Sequence, residues 1–262
     1  MCSTKPLAVL ALLLCSFCAL AQTGSEIMML GVGRGKAAGG GGNVVTWVSV
    51  FPSSAGQGAS GSTVTITNVA VSGTNPLLVG VCETRDDSSP GDLVLTSATF
   101  GAQNATIDTN LARTDYGSIR AQIVYWAAPS GTATVTFTFT APPANANCAV
   151  HLFNGADQTT PLRAWCSQAP GFNTSSSCAL SPTANDLVFS ITNSQGCCRG
   201  SPTATTTGGG TATTVRGPAN AGDNQYMEVT ITVPASGSQT DGFTWTGNSN
   251  NQQVTVAWAA AP

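Results

Sequence analysis

The chain contains a single histidine, His151. Histidine is the residue type best suited to acid–base chemistry near neutral pH. A serine hydrolase would also need an activated serine, and the Gly-x-Ser-x-Gly turn that often carries one is absent from the sequence. The nearest approach is Gly58-Ala59-Ser60-Gly61, which is typical of a glycine- and serine-rich loop. Because the residues from Cys148 to Asn154 have a strand-like pattern, the sequence predicts that His151 is a partly buried strand residue.

Four carboxylates, Glu83, Asp86, Asp87 and Asp92, fall within ten residues of one another. Oxygen-rich loops of this kind suit calcium, although the spacing does not match an EF-hand. Two interpretations remain open, a calcium site and a solvated turn, and the second is favoured because Arg85 can neutralise part of the charge. No other cofactor is predicted, and no feature singles out the facing pair of acids that a glycosidase needs.

Asp157 lies in the stretch Gly155-Ala156-Asp157-Gln158-Thr159-Thr160-Pro161. An aspartate followed by threonines and proline is typical of a turn in which the carboxylate accepts backbone N–H hydrogen bonds. A structural role is therefore predicted for Asp157.

Five tryptophans are spread along the chain, and such side chains can form a stacking platform for sugars. Trp126 and Trp258 lie in predicted strands and are expected in the core. Trp165 lies beside a cysteine in a predicted loop, and Trp245 lies in the short strand GFTWTG. These two are therefore the candidates for a carbohydrate site.

Six cysteines remain once a predicted N-terminal signal is removed: Cys82, Cys148, Cys166, Cys178, Cys197 and Cys198. An even number in an exported chain indicates disulfides. Cys166 and Cys178 bracket a loop and are the favoured pair, whereas the adjacent Cys197 and Cys198 are expected to reach two different partners. The pairing of Cys82 and Cys148 stays open, and the spacing does not suit a metal site.

Residues 1–21 have the organisation of a secretory signal, with Lys5, an apolar run from Leu7 to Leu20, and a cleavage site at Ala19-Leu20-Ala21. The mature chain would then begin at Gln22 and be secreted or held at the cell surface. A lipoprotein site at Cys15 or Cys18 is the competing interpretation. No second apolar run of 18 residues follows in the sequence, so no helical transmembrane segment is predicted.

Charged residues make up only 8% of the chain, against a usual share of about 25%. A surface so poor in lysine and arginine has little attraction for phosphates, and nucleic acid is therefore not expected as a partner. Binding to anionic lipid is not expected for the same reason.

Residues 22–43 form a glycine-rich N-terminal segment that begins with an apolar patch, Ile27, Met28, Met29 and Leu30. The patch is interpreted either as a tail or as a strand that pairs with the edge of a sheet in its own or a neighbouring subunit. The GVGRGK stretch ends in Gly-Lys like a phosphate-binding loop, but no Ser or Thr follows Lys36, and a linker is favoured.

Residues 44–262 are predicted to form one all-β domain, because short alternating segments follow one another between turn-forming residues. From Thr132 to Thr140, for example, Val135, Phe137 and Phe139 alternate with threonines. Few aromatic residues are present to form the girdles of a membrane barrel. A two-sheet antiparallel β-sandwich, with a jelly-roll or immunoglobulin-like topology, is therefore predicted.

Three segments resemble a β-sandwich module that recurs in secreted bacterial proteins: Tyr125-Trp126-Ala127-Ala128-Pro129-Ser130-Gly131-Thr132 with the following TVTFTFT, then HLFNGADQTTP from His151 to Pro161, then Asn185-Asp186-Leu187-Val188. The resemblance extends over roughly residues 63–259, and it implies export, the fold and a hairpin at 121–140. It implies no catalytic residue. The cysteine-rich stretch 164–178 and the Cys197-Cys198 pair depart from the usual pattern.

These observations predict an exported, non-enzymatic structural or adhesive protein of the cell surface or extracellular matrix. Its partners would be copies of itself, added as strands into filaments, or surface glycans. The alternative is a carbohydrate-binding, lectin-like module, and the third interpretation is a secreted hydrolase whose site the sequence does not reveal.

Overall fold

The computed structural model describes residues 43–52, 61–85, 93–107, 114–116, 119–195, 201–221 and 224–262. Within these ranges the chain is all-β, as predicted, with antiparallel sheets and no helix. The strands are β1 (Thr46–Pro52), β2 (Thr63–Val71), β3 (Leu77–Arg85), β4 (Leu95–Phe100), β5 (Gln103–Asn104), β6 (Thr114–Tyr116), β7 (Ile119–Ala127), β8 (Gly131–Phe139), β9 (Asn145–Asn154), β10 (Leu162–Leu180), β11 (Leu187–Gln195), β12 (Thr203–Thr207), β13 (Thr211–Ala221), β14 (Asn224–Thr232) and β15 (Gln239–Trp258).

Three antiparallel sheets are formed by these strands. The central sheet has the order β1-β9-β3-β7-β6, and the outer sheet has the order β2-β8-β4-β5. The C-terminal sheet has the order β10-β15-β11-β14-β13, with β12 added on β15. Consecutive strands often fall in different sheets, so residues far apart in the sequence meet in the interior.

The central and outer sheets enclose one apolar core. Leu78 and Trp126 of the central sheet pack against Val135 and Phe137 of β8, and all four side chains are buried. The alternation predicted for β8 is confirmed, because its valine and phenylalanines face this core while its threonines face outward. Burying one such phenylalanine contributes about 1.5–3 kcal/mol, which gives the strand a definite inner face.

The opposite face of the central sheet packs on the C-terminal sheet. Leu77, Val79 and Phe153 contact Phe189 and Trp258 in a second buried cluster. The central sheet is therefore covered on both faces. This explains why β3 begins with an unbroken apolar run, since both sets of alternate side chains must be buried.

The C-terminal sheet curls until it is nearly closed like a barrel, around a third core that includes Val229, Phe243 and Trp245. The curl comes from β10 and β15, which pair over most of their length with several register shifts. Cys166 and Cys178 lie in the same strand β10, yet their Cα atoms are only 5.6 Å apart. Twelve extended residues would span about 40 Å, so the β10–β15 ribbon folds back on itself and the disulfide holds the fold closed.

Two expectations from the sequence are wrong. The stretch between Cys166 and Cys178 is not a loop but the middle of β10, whose serines pair along β15. The segments 119–127 and 131–139 do not form a hairpin, because β7 pairs within the central sheet and β8 within the outer sheet. Ala128 and Gly131, both with positive φ, turn the chain from one sheet to the other.

The second disulfide joins Cys82 of β3 to Cys148 of β9, which are directly opposite in the central sheet. Cys166 and Cys178 form the pairing that the sequence favours. Cys197 and Cys198 lie outside the described residues.

Packing between the central and outer sheets depends on the absence of a side chain at Gly80. A Cβ atom on Gly80 would lie 2.7 Å from the ring of Phe137, whereas a Cβ on Gly61 would meet no atom within 4 Å. We expect Gly80→Ala to lower the free energy of unfolding by about 1–3 kcal/mol through overpacking. Gly61→Ala is the matched control, and equal denaturant midpoints for the two variants would contradict this account.

Candidate functional site

The densest group of titratable side chains in the described ranges lies between the central and C-terminal sheets. We call it the interlayer polar cluster, and its members are Trp47 of β1, Glu83 of β3, Asn147 and His151 of β9, Arg216 of β13, and Tyr226 and Glu228 of β14. Strand alternation places these residues. Glu83 comes two positions after Val81, so it projects from the same face of β3 toward the C-terminal sheet.

Arg216 joins the two sheets. Its guanidinium donates hydrogen bonds to Glu228 Oε1 in its own sheet and to Asn147 Oδ1 in the central sheet. It also lies 3.7 Å from Glu83 Oε2 and stacks 4.6 Å from the centre of the Tyr226 ring. The planar, multivalent guanidinium is suited to holding several partners at once.

His151 makes the second connection between the sheets. Its Nδ1 accepts a hydrogen bond of 3.2 Å from the Trp47 indole, and its Nε2 lies 2.7 Å from Glu228 Oε2. The imidazole also packs 4.9 Å from the ring of Phe189 in the C-terminal sheet.

The two glutamates have opposite electrostatic environments. Burial and the nearby charge of Glu228 raise the pKa of Glu83 well above its usual range. Burial also acts to raise the pKa of Glu228, but Arg216 and His151 outweigh it and hold that pKa below its usual value. A protonated Glu83 beside an ionised Glu228 and a cationic Arg216 leaves the interior close to electrically neutral.

The residue types in this cluster are those of acid–base catalysis, but they are enclosed. His151 and Glu228 are fully buried, and Glu83 is 1% exposed. A substrate cannot reach them while the two sheets remain packed together. His151 is thus more deeply buried than the sequence predicts, and its neighbours explain why: it is part of a network that fastens one sheet to another.

Glu83 does not lie in a solvated calcium loop. It is in strand β3, where its Oε2 accepts a 2.7 Å hydrogen bond from Asn147 Nδ2. Asp86, Asp87 and Asp92, the other acids of the candidate calcium site, lie outside the described residues. Among the residues that are described, no group of three or more His, Cys, Asp or Glu side chains could hold a metal ion.

The structure separates the two candidate sugar-binding tryptophans. Trp245 is only 5% exposed and belongs to the core inside the curled C-terminal sheet, beside Phe243. Trp165 is partly buried and packs against the core between the central and C-terminal sheets. They do not form an exposed platform. Trp126 and Trp258 are core residues, as predicted.

Asp157 has the predicted turn geometry. Its Oδ1 accepts hydrogen bonds from the backbone N–H groups of Thr159 at 2.8 Å and Thr160 at 3.2 Å. The apolar patch Ile27, Met28, Met29 and Leu30 lies outside the described residues.

A surface groove of about 380 Å³ lies where the turn at residues 71–76 meets the turn at residues 128–131. Gln158 closes one side and accepts a 2.6 Å hydrogen bond from the Ala128 backbone N–H. The lining contains no charged or aromatic side chain. The groove therefore offers backbone, hydroxyl and amide groups but nothing that could act as a general acid or base.

No protein family, curated protein or solved structure matches this chain. Over the ranges that the structure describes, no helix is long and apolar enough to cross a membrane.

The two buried glutamates should respond differently to replacement by glutamine. Glu228→Gln removes the ionised partner of Arg216 and should lower the free energy of unfolding at pH 7 by about 3–5 kcal/mol. Glu83→Gln resembles the protonated acid already present and should cost far less.

The pH dependence gives a sharper test of the same electrostatics. An unfolded glutamate ionises near pH 4.5, and folding keeps Glu83 protonated above that pH, so wild-type stability falls as the pH rises. The stability of Glu83→Gln relative to wild type should therefore increase as the pH rises above 4.5. The deficit of Glu228→Gln should instead shrink below pH 4.5, where the low pKa of Glu228 ceases to favour folding. Parallel pH profiles of urea midpoints for the two variants would contradict this assignment.

Proposed function

We propose that the protein is an exported, non-enzymatic structural or adhesive component of the cell surface or extracellular matrix, built on a two-sheet β-sandwich with appended strands. The observation that carries the proposal is the outward face of the outer sheet. None of its strands, β2, β4, β5 and β8, contains a charged residue. The presence of two disulfides is compatible with an extracellular protein.

Hydroxyl groups form rows across this face. Thr63, Thr138 and Ser97 lie side by side on β2, β8 and β4, and Thr65, Thr136 and Thr99 form the next row. Strand geometry spaces neighbours in a row about 4.8 Å apart and the rows about 6.8 Å apart. No hydrogen bond to another described residue occupies the hydroxyls of these six side chains, so they are available to a partner.

A face of this kind suits neutral, extended contact. Threonine is stiff about χ1, so ordering its side chain on binding costs little entropy. Each hydroxyl can both donate and accept a hydrogen bond. With no charges on the face, two copies of the protein would not repel one another there.

The enclosed position of the interlayer polar cluster supports the same proposal. The side chains best suited to acid–base chemistry lie in the interior, where they hold two sheets together. They are His151, Glu83 and Glu228. What the molecule presents to solvent on the outer sheet is hydroxyl and methyl groups. We therefore assign the surface to contact and the buried charges to stability.

Filament formation by strand addition is part of the proposal. β2 is the terminal strand of the outer sheet and has a free backbone edge in the described part of the chain. In this arrangement the Ile27–Leu30 segment of one subunit would pair with such an edge on the next. Assembly into filaments should then be lost when residues 22–43 are deleted, as seen by electron microscopy.

A second candidate is binding of neutral carbohydrate at the same outward face of the outer sheet, which we call the threonine face. The rows of free hydroxyls favour it, because they match the donors and acceptors that a sugar polymer carries. Of the two tryptophans predicted from the sequence, Trp245 does not take part, since it is buried.

The contact function is tested by placing charge on the outer sheet. Thr65→Lys combined with Ser97→Lys puts two cations on exposed positions of the face, where like charges should oppose self-association and burial against a neutral surface. We expect at least several-fold weaker self-association in sedimentation velocity, or several-fold weaker co-sedimentation with insoluble neutral polysaccharide. Thr213→Lys, an exposed position on β13, is the matched control. A wild-type protein that remains monomeric and binds no surface would overturn the proposal.

A further inference from the structure

A third group of polar side chains lies inside the curled C-terminal sheet. Thr206 of β12 is directly opposite Asp241 of β15, and Gln239 is two residues before Asp241. Alternation along β15 points Gln239 and Asp241 to the same inner side, where Phe243 and Trp245 also lie. Diagonal neighbours on paired strands are within reach of long side chains, so the register alone brings a hydroxyl, an amide and a carboxylate together.

The three side chains form a closed triangle of hydrogen bonds. Thr206 Oγ1 donates to Asp241 Oδ1 at 3.1 Å, and Gln239 Nε2 donates to the same Oδ1 at 2.9 Å. Gln239 Nε2 also donates to Thr206 Oγ1. A single carboxylate oxygen is thus positioned between the hydroxyl and the amide nitrogen.

The amide and the acid are buried, the hydroxyl of Thr206 is partly buried, and part of the acid is left without a partner. Gln239 is 2% exposed and Asp241 is 1% exposed. Asp241 Oδ2 is buried and has no hydrogen-bond partner in the described structure. Burial raises the pKa of Asp241, although its hydrogen bonds with Gln239 and Thr206 oppose that effect. A raised pKa makes the carboxylate a stronger base than an ordinary aspartate.

We propose that Thr206 and Gln239 become joined by an intramolecular ester, formed by the protein itself with Asp241 as the general base. The hydroxyl is the nucleophile and the amide carbon is the electrophile. The product is a covalent link between β12 and β15, and this modification goes beyond the proposed adhesive function and does not depend on it.

The reaction balances without any added reagent. Asp241 Oδ1 takes the proton from Thr206 Oγ1 as that oxygen bonds to the amide carbon of Gln239 and forms a tetrahedral intermediate. The same Oδ1 then gives the proton to Nε2, the carbon–nitrogen bond breaks, and ammonia leaves. The ester retains the threonine oxygen and the glutamine carbonyl oxygen, and Asp241 returns to its starting state.

Two glycines allow the chain to approach the reacting amide closely. A Cβ on Gly208 would lie 2.8 Å from Gln239 Oε1, and a Cβ on Gly210 would lie 3.0 Å from Gln239 Nε2. Only glycine lets the backbone approach so closely. Turning the amide about its terminal torsion, which is broad in glutamine, leaves the carbon in place, moves Nε2 away from the hydroxyl and presents the face of the amide to it.

The benefit of such a link follows from topology. β12 has five residues and pairs with β15 alone among the described strands. A strand held by one neighbour is among the first to separate when a sheet opens. The ester would fasten it permanently.

The test is peptide mapping of the purified wild-type protein after reduction, denaturation and digestion with trypsin. Cleavage after Arg199 and Arg216 places Thr206 in the peptide 200–216 and Gln239 in the peptide 217–262. We expect one linked species that is lighter than the two peptides together by one ammonia, and that hydroxylamine separates. Intact mass alone does not suffice, because cyclisation of an N-terminal Gln22 loses the same mass.

Variants assign the roles of the three residues. Thr206→Val keeps the shape of the side chain without the nucleophile and should abolish the linked peptide, as should Asp241→Asn, which removes the base. Thr205→Val, on the exposed side of the same strand, is the matched control and should retain the link. Two separate peptides from wild-type protein, after prolonged incubation at neutral pH, would overturn the proposal whatever the variants show. A link that survives in Thr206→Val would overturn it as well.

Discussion

The requirement that the central sheet be covered on both faces governs the rest of the structure. Its strands have apolar side chains on both sides, and each side must be removed from water. The outer sheet covers one face and the C-terminal sheet covers the other. The interface between the central and C-terminal sheets also contains the buried ions Arg216 and Glu228. An apolar surface of the same shape could therefore not take the place of the C-terminal sheet. The polar network thus specifies which sheet lies there, while the apolar contacts supply most of the stability.

The sequence predicted much of the fold but little of what its polar residues do. Alternation alone located β8, and the turn at Asp157 followed from local chemistry. The assignment of β7 and β8 to one hairpin was wrong, because pairing between strands is a long-range property. A strand in Cys166 to Cys178 was missed because serine, asparagine and glycine weaken the alternating pattern.

The interlayer polar cluster was beyond the reach of sequence reasoning for a similar reason. One of its hydrogen bonds, between Trp47 and His151, joins residues that are 104 positions apart in the sequence. Glu83 looked like part of an acidic loop because its local neighbours are acids, whereas its true partners, Asn147 and Arg216, come from other strands. One local signal was available: in β14, Glu228 interrupts an otherwise apolar and threonine-rich strand, which is a usual sign of a buried polar role.

The two disulfides divide the chain into parts that carry tension and parts that do not. If the ends of the protein are pulled, force passes directly from Cys82 to Cys148 and bypasses the 66-residue separation between them. That bypassed segment holds β4, β5 and β8, three of the four strands of the threonine face. It would otherwise lengthen by roughly 230 Å on extension. The disulfide between Cys166 and Cys178 protects the bend in β10 from tension in the same way. An adhesive face built from these strands would keep its register while the molecule is under load.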